Sequence, residues 1–131
     1  MSEELVRVLL VDDDTDIRTV ATMALEMVGG FTVRSCGSGA EALDALSEFS
    51  PQMILLDVMM PGMSGPELLA RLRVAPQTLH IPVAFLTATK AQPEEMDKLL
   101  KLGAVEVLAK PFDPMLLSDQ VRAIWGRIRP Q

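Results

Sequence analysis

Five short apolar runs alternate with five longer amphipathic stretches along this chain, and no other feature of the sequence limits the possible folds so strongly. The short runs are rich in branched aliphatic residues, which favour β-strands. The stretches between them carry apolar residues at three- and four-residue spacing, which predicts helices. The pattern is therefore β-α repeated five times, with predicted strands at residues 6–11, 31–35, 53–56, 81–86 and 105–108.

Residues that start or stop helices set the bounds of the predicted helices. The first helix is expected to extend to Val28 and to be ended by Gly29–Gly30. Ser38 and Ser64 are each followed three residues later by a glutamate, which predicts capping boxes at the second and third helices. Asp113–Pro114 predicts the N-cap and first residue of the last helix.

This order of elements predicts an α/β fold with a doubly wound parallel sheet. Strands joined by helical crossovers run parallel, and right-handed crossovers place helices on both faces of the sheet. The run Met53–Leu56 is apolar at every position, as expected for a central strand covered on both sides. A length of 131 residues is that of one domain, so we expect residues 1–131 to form a single unit.

Composition excludes several classes of protein. One cysteine, Cys36, allows neither an internal disulfide nor a cysteine-rich zinc site. A net charge of −6 and a pI near 4.7 disfavour direct binding of nucleic acid. The sequence contains no apolar stretch long enough for a transmembrane helix, and its acidic start, Met1–Glu4, does not resemble a secretory signal. We therefore expect a cytoplasmic protein.

Polar residues follow four of the five predicted strands at the point where the apolar run ends. Ligands of such sheets bind outside the carboxyl ends of the strands, so these side chains are the candidates for a functional site. They are Asp12 and Asp13 after the first strand, Asp57 after the third, Thr87 after the fourth and Lys110 after the fifth.

The chemistry of this set indicates phosphoryl transfer. Three converging carboxylates repel one another unless they share a cation, and oxygen ligands with room for water favour Mg²⁺. A carboxylate is ionised at neutral pH, so an aspartate can attack phosphorus without a separate base. Asp57, alone at the end of the central strand, is the best nucleophile, and Asp12–Asp13 suit the metal. Lys110 and Thr87 would hold the phosphoryl oxygens.

Four segments of the chain resemble the signature segments of response-regulator receiver domains. They are Val11–Asp14, Leu56–Gly65, Leu86–Ala88 and Lys110–Phe112. The resemblance spans nearly the whole chain and implies a flavodoxin-like (βα)5 fold with strand order 2-1-3-4-5. It also implies a signalling switch, with no metabolic reaction, that is phosphorylated by a sensor histidine kinase or a histidine phosphotransfer protein and acts on a downstream protein.

The resemblance assigns roles residue by residue. It implies that Asp13, Asp57 and the backbone carbonyl of Met59 bind Mg²⁺ directly, with Asp12 acting mainly through water. It implies that Thr87, Ala88 and Lys110 bind the phosphoryl group and take part in switching, and that the Lys110–Pro111 peptide is cis.

Three positions are informative about switching and about the lifetime of the phosphorylated form. Many receivers carry Tyr or Phe three residues before the lysine, where this chain has Val107. We therefore expect a smaller rearrangement on phosphorylation. Met59 and Thr89, two residues beyond Asp57 and Thr87, offer no group that would orient an attacking water, which predicts slow hydrolysis.

Other interpretations of the sequence remain open. A Mg²⁺-dependent phosphohydrolase of the haloacid-dehalogenase type would use Asp12–Asp14 as a D-x-D pair, although the sequence lacks a cap domain and paired late aspartates. A receiver-like scaffold that is never phosphorylated is a third class. We expect no output domain within the 131 residues, and homodimerisation on phosphorylation is open.

Overall fold

The computed structural model describes residues 3–88 and 92–128 and contains one five-stranded parallel sheet. The strands are β1 (Arg7–Val11), β2 (Thr32–Cys36), β3 (Met53–Asp57), β4 (Val83–Ala88) and β5 (Glu106–Lys110). Their order across the sheet is β2-β1-β3-β4-β5, and every pair of neighbours is parallel. The doubly wound fold and the strand order expected from the sequence are confirmed.

Five helices cover the two faces of the sheet: α1 (Thr15–Met23), α2 (Gly39–Phe49), α3 (Gly65–Val74), α4 (Pro93–Lys101) and α5 (Leu117–Ile128). One apolar layer packs the sheet against α2, α3 and α4, and the other packs it against α1 and α5. Alternate residues of each strand point into opposite layers, so Leu9 lies in the first layer and Leu10 in the second. None of the described helices has both the length and the apolar character needed to cross a membrane.

The strands differ from the predicted bounds at their ends. Asp57, Thr87 and Lys110 lie within the last two residues of their strands, where the sequence interpretation placed them just beyond. Backbone hydrogen bonding between strands does not depend on the polarity of the side chains. The pairing of β4 with β5 therefore continues through Thr87, which is paired with Ala109. β4 starts at Val83 because the amide of Ile81 donates to the carbonyl of Thr78 in a turn.

The helix ends agree with the predicted capping boxes at one site and differ at the other. At Ser64 both hydrogen bonds of the box are present. At Ser38 the hydroxyl accepts from the amide of Glu41, but the Glu41 carboxylate accepts from Gly37 and not from Ser38. The long side chain of Glu41 reaches one residue further back, so this capping box is only half formed.

The first and last helices also depart from their predicted bounds. α1 ends at Met23, and a π-helical turn, Ala24–Val28, continues it to Gly29. α5 begins at Leu117, because the carbonyl of Asp113 accepts from the amide of Leu117 and closes a turn over residues 114–116. Asp113 therefore caps a turn that leads into the helix, and the N-cap predicted for that residue is wrong.

Candidate functional site

Two buried aspartates lie side by side at the carboxyl edge of the sheet. Asp12 directly follows β1, and its amide donates to the carbonyl of Cys36 at 3.0 Å. Asp57 is the last residue of β3, the neighbour of β1. Both are almost fully buried, at 0% and 4% exposure, whereas Asp13 is exposed. One carboxylate oxygen from each of Asp12, Asp13 and Asp57 lies within 4.8 Å of the others.

Lys110 joins this acidic cluster from the far side of the sheet. Its Nζ donates to Asp57 Oδ1 at 3.0 Å and to Asp12 Oδ2 at 3.3 Å. β4 lies between β3 and β5, so only a long side chain at the end of β5 can reach both acids. The Lys110 side chain is 19% exposed, which leaves its ammonium group mostly shielded from water. The Lys110–Pro111 peptide is cis, as expected from the sequence.

Burial and charge alter the pKa of two groups in the cluster. Burial raises the pKa of Asp57 to about 6, the hydrogen bond from Lys110 opposes this rise, and the negative charge of Asp12 adds to it. Burial lowers the pKa of Lys110, but its hydrogen bond with Asp57 and the negative charges of Asp57 and Asp12 outweigh that effect and raise it. Lys110 therefore carries its charge at neutral pH, while ionised Asp57 is held at a free-energy disadvantage.

The donor set of this cluster fits a hard divalent cation. Three carboxylates carry −3 and Lys110 carries +1, so a charge of +2 would balance the site. Carboxylate oxygens are the ligands that Mg²⁺ prefers, and the exposed position of Asp13 gives the site an open side for water and phosphate. The cluster predicted from strand ends is thus brought together in the structure.

Thr87 lies on β4, between the strands that carry Asp57 and Lys110. Leu86 is paired with Asp57, and Ala88 is paired with Lys110, so Thr87 is at the same edge of the sheet. Its side chain is half-buried. Within residues 3–88 and 92–128, no hydrogen bond joins the Thr87 hydroxyl to Asp57 or Lys110. The hydroxyl is near the cluster without being bound to it.

The loop after β3 is held close to Asp57 by its glycines. The amide of Gly65 donates to the carbonyl of Val58 at 3.0 Å, and a Cβ at Gly65 would overlap the carbonyl oxygen of Asp57. Gly62 has a φ of +77°, which a residue with a side chain rarely adopts. Met59, two residues after Asp57 in this loop, is 78% exposed.

Val107 is buried at 7% exposure on β5, where its side chain joins the layer packed against α2, α3 and α4. It is paired with Phe85 of β4. A valine in this place fills the layer without an aromatic ring that could turn outward. Thr89, which together with Met59 predicts slow hydrolysis of the phosphorylated form, lies outside the described residues.

The sequence interpretation missed one residue that contacts the cluster. Arg18, the fourth residue of α1, donates from Nη1 to the backbone carbonyl of Asp12 at 2.6 Å. Its position in the sequence, six residues after Asp12, did not predict this contact, because an arginine on a helix is usually exposed to solvent.

A groove with a volume of about 1100 Å³ lies at the opposite end of the sheet. It is lined by residues at the amino ends of the strands, including Arg7, Ile81 and Val105. Parallel sheets of this kind bind their ligands at the carboxyl ends, where the acidic cluster lies. The cluster is therefore the better candidate site.

The protein is a doubly wound α/β domain in which a lysine forms ion pairs with an aspartate cluster at the carboxyl edge of the sheet. The family model of the response regulator receiver domain matches residues 8–122, and the chain belongs to this family. It is therefore a receiver domain of the kind found in two-component response regulators.

Relatives and solved structures agree with this assignment. The chain is 36% identical over 94% of its length to the phosphate regulon transcriptional regulatory protein PhoB of Pseudomonas aeruginosa, and 39% identical over 92% to the transcriptional regulatory protein CpxR homolog of Haemophilus influenzae. It spans 53% and 51% of those proteins, about half of each. The chemotaxis response regulator CheY4 of Vibrio cholerae superposes with a TM-score of 0.83 at 30% identity, covering 92% of this chain and 99% of that one.

Proposed function

We propose that this receiver domain is a signalling switch that accepts a phosphoryl group on Asp57. The observation that supports this role best is the pairing of a buried, ionisable Asp57 with the Lys110 ammonium group at 3.0 Å, beside two further carboxylates. An ammonium group fixed on the acceptor carboxylate is also placed to neutralise an oxygen of an incoming phosphoryl group.

The transfer from a phosphohistidine balances without a further base. A carboxylate oxygen of Asp57 forms a bond to phosphorus while the bond between phosphorus and the imidazole nitrogen breaks. The electron pair of that bond goes to the imidazole nitrogen, and a proton carried by the other ring nitrogen of the phosphohistidine makes the leaving group neutral imidazole. The product is an aspartyl phosphate on this chain.

The contacts of Asp12 support Asp57, and not Asp12, as the acceptor. Asp12 Oδ1 accepts from the amide of Asp14 at 2.9 Å, and Oδ2 accepts from Lys110 at 3.3 Å. Both oxygens of Asp12 are thus engaged, while among the residues that the structure describes Asp57 accepts a hydrogen bond only from Lys110, through Oδ1. This difference argues against the haloacid-dehalogenase interpretation, in which a residue of Asp12–Asp14 would attack phosphorus.

The same edge would hold Mg²⁺ through Asp13, Asp57 and the backbone carbonyl of Met59, with Asp12 contributing through water. When bound, the ion supplies positive charge against the carboxylates and the phosphoryl oxygens. Lys110 would bind one phosphoryl oxygen, and Thr87 with the adjoining Ala88 backbone would bind another.

A helical surface beside the acidic cluster suits the phosphoryl donor. α1 begins three residues after Asp12, and it exposes Val20 and Met23, with Met27 on the turn that follows. Apolar side chains at three- and four-residue spacing fit the groove of a helical partner. A sensor histidine kinase or a histidine phosphotransfer protein docked there would bring its phosphohistidine to Asp57. We propose that this domain meets such a partner, and a downstream target protein, in the cytoplasm.

The experiment is site mapping after incubation with acetyl phosphate and Mg²⁺. We expect one phosphoryl group per chain, on Asp57, and none in Asp57→Asn. Asp16→Asn serves as the matched control, because Asp16 is an exposed acid in the first turn of α1. Label on Asp12 would favour the hydrolase, and an unlabelled wild-type protein would favour the scaffold. Size-exclusion chromatography of the labelled protein tests for a homodimer.

A further inference from the structure

Arg18 holds the backbone of the loop that carries the acidic cluster. Its Nη1 donates to the carbonyl oxygen of Asp12 at 2.6 Å, and this carbonyl belongs to the peptide that links Asp12 to Asp13. The amide of Asp12 is held separately by the carbonyl of Cys36 at 3.0 Å. Asp12 is thus fixed on both sides, by β2 through its amide and by α1 through its carbonyl.

A glycine makes room for the Arg18 guanidinium group. A Cβ at Gly37 would lie 2.9 Å from Arg18 Nη1, which is closer than Cβ atoms approach other atoms, so a side chain there would require the guanidinium group to shift. The amide of Gly37 donates to Glu41 Oε1 at 2.8 Å, so this glycine is anchored to α2. The guanidinium group therefore lies between the loop after β1 and the loop after β2.

The orientation of the Asp12–Asp13 peptide decides where the Asp13 carboxylate lies. Asp13 is exposed, and nothing in the described structure shields it as burial shields Asp12 and Asp57. Its oxygen nevertheless lies within 4.8 Å of theirs. Since the side chain of Asp13 leaves the chain one bond beyond the peptide that Arg18 binds, that hydrogen bond limits the directions in which Asp13 can point.

We propose that Arg18 is a positioning residue for the divalent cation: its guanidinium group lies beside Gly37 and holds the Asp12 carbonyl, which keeps the Asp13 carboxylate in the metal cluster. The inference rests on the proposed function, because it takes that cluster to be a Mg²⁺ site. Arg18 touches neither the phosphoryl group nor the acceptor, so it acts on cation affinity and not on the transfer step. Groups that orient metal ligands in this way change metal affinity by about 10- to 100-fold.

The test measures Mg²⁺ binding by isothermal titration calorimetry without a phosphoryl donor, and then the rate of phosphorylation by acetyl phosphate across a range of Mg²⁺ concentrations. We expect Arg18→Met to raise both the Mg²⁺ dissociation constant and the half-saturating Mg²⁺ concentration about tenfold. At saturating Mg²⁺ its rate should return to within about twofold of wild type. A residue that merely supported the fold would not give this division between affinity and rate.

Two further variants separate position from charge. Arg18→Lys keeps the positive charge but loses the planar fork, so it should recover only part of the affinity. Gly37→Ala keeps Arg18 whole and displaces its guanidinium group, so it should also weaken Mg²⁺ binding, and it tests the proposal even if Arg18→Met does not fold. Arg34→Met is the control, since Arg34 lies on β2 and its ion pair with Glu48 is exposed; its affinity should stay within about twofold of wild type.

Unchanged Mg²⁺ affinity in Arg18→Met or in Gly37→Ala overturns the inference, as does complete recovery in Arg18→Lys, which would assign the effect to charge alone. An equal loss in Arg34→Met also overturns it. A wild-type protein that binds no Mg²⁺ at all has a different meaning: that result contradicts the proposed function itself, and the inference falls with it.

Discussion

Replacing Asp57 with asparagine should stabilise the metal-free protein, although it removes the proposed acceptor. The pKa of Asp57 is raised from 3.8 to about 6, mainly by burial. At about 1.4 kcal/mol for each pH unit, ionising this group in the folded protein costs about 3 kcal/mol more than in the unfolded chain. Asparagine has the same shape without the charge, so the variant avoids this cost.

The sign and the pH range follow from the direction of the pKa change. A carboxyl group whose pKa is raised on folding gives stability below its unfolded value, near 4, and loses it as the pH rises through about 6. At about pH 7.5 the free energy of unfolding of Asp57→Asn should therefore exceed that of wild type by about 2–3 kcal/mol. For a domain of this size this corresponds to an increase of about 10 °C in the thermal denaturation midpoint. The difference in free energy should fall below about 1 kcal/mol near pH 4 and approach zero below about pH 3, where wild-type Asp57 is protonated in both states.

The assay is thermal and urea denaturation of both proteins in a chelator, at several pH values, and again with excess Mg²⁺. Mg²⁺ should raise the denaturation midpoint of the wild-type protein, because the ion binds the folded protein and needs the charged carboxylate. The difference in stability between Asp57→Asn and wild type should therefore become smaller. Asp16→Asn controls for loss of a negative charge near α1. A variant less stable than wild type, or a gain that is the same at about pH 4 and pH 7.5, would refute the reasoning.

Three other changes test separate parts of the site. Met59→Asn should speed loss of the phosphoryl group severalfold in Mg²⁺ buffer, measured as decay of label on the isolated protein, because an amide can orient water where the exposed methionine cannot; unchanged decay contradicts this. Gly65→Ala should lower the free energy of unfolding by about 2 kcal/mol and slow phosphorylation, because its Cβ overlaps the Asp57 carbonyl. Gly126→Ala is the control, because a Cβ at Gly126 on α5 would meet no other atom of the described residues, and it should neither lower the free energy of unfolding nor slow phosphorylation. NMR shifts on adding beryllofluoride should be small across residues 88–110, since Val107 offers no ring to rotate; large shifts throughout that range count against the hypothesis.

The fold and most of the site could be predicted from the sequence because each depends on local pattern and general topology. Apolar runs locate strands, crossovers make them parallel, and parallel strands end at one edge, which is sufficient to bring Asp12, Asp57 and Lys110 together. The strand order came from the resemblance to receiver domains, since periodicity alone does not specify which strands are neighbours.

What could not be predicted depends on contacts between distant residues. The hydrogen bond from Arg18 to the Asp12 carbonyl requires a helix, a loop and the gap at Gly37 to meet, and no residue spacing reports that meeting. The first turn of α5 was placed too early because Asp113–Pro114 suits a turn as well as a helix. The raised pKa of Asp57 likewise follows from burial that only the packed structure reveals.

The most direct test of the central claim is a crystal structure of the protein with Mg²⁺ and beryllofluoride, a mimic of the phosphoryl group. We predict beryllium bonded to a carboxylate oxygen of Asp57, fluorine contacts to Lys110 Nζ and to the Thr87 hydroxyl, and Mg²⁺ held by Asp13 and Asp57. Beryllofluoride on Asp12, or a structure in which Lys110 turns away from Asp57 when both additives are bound, would contradict the account.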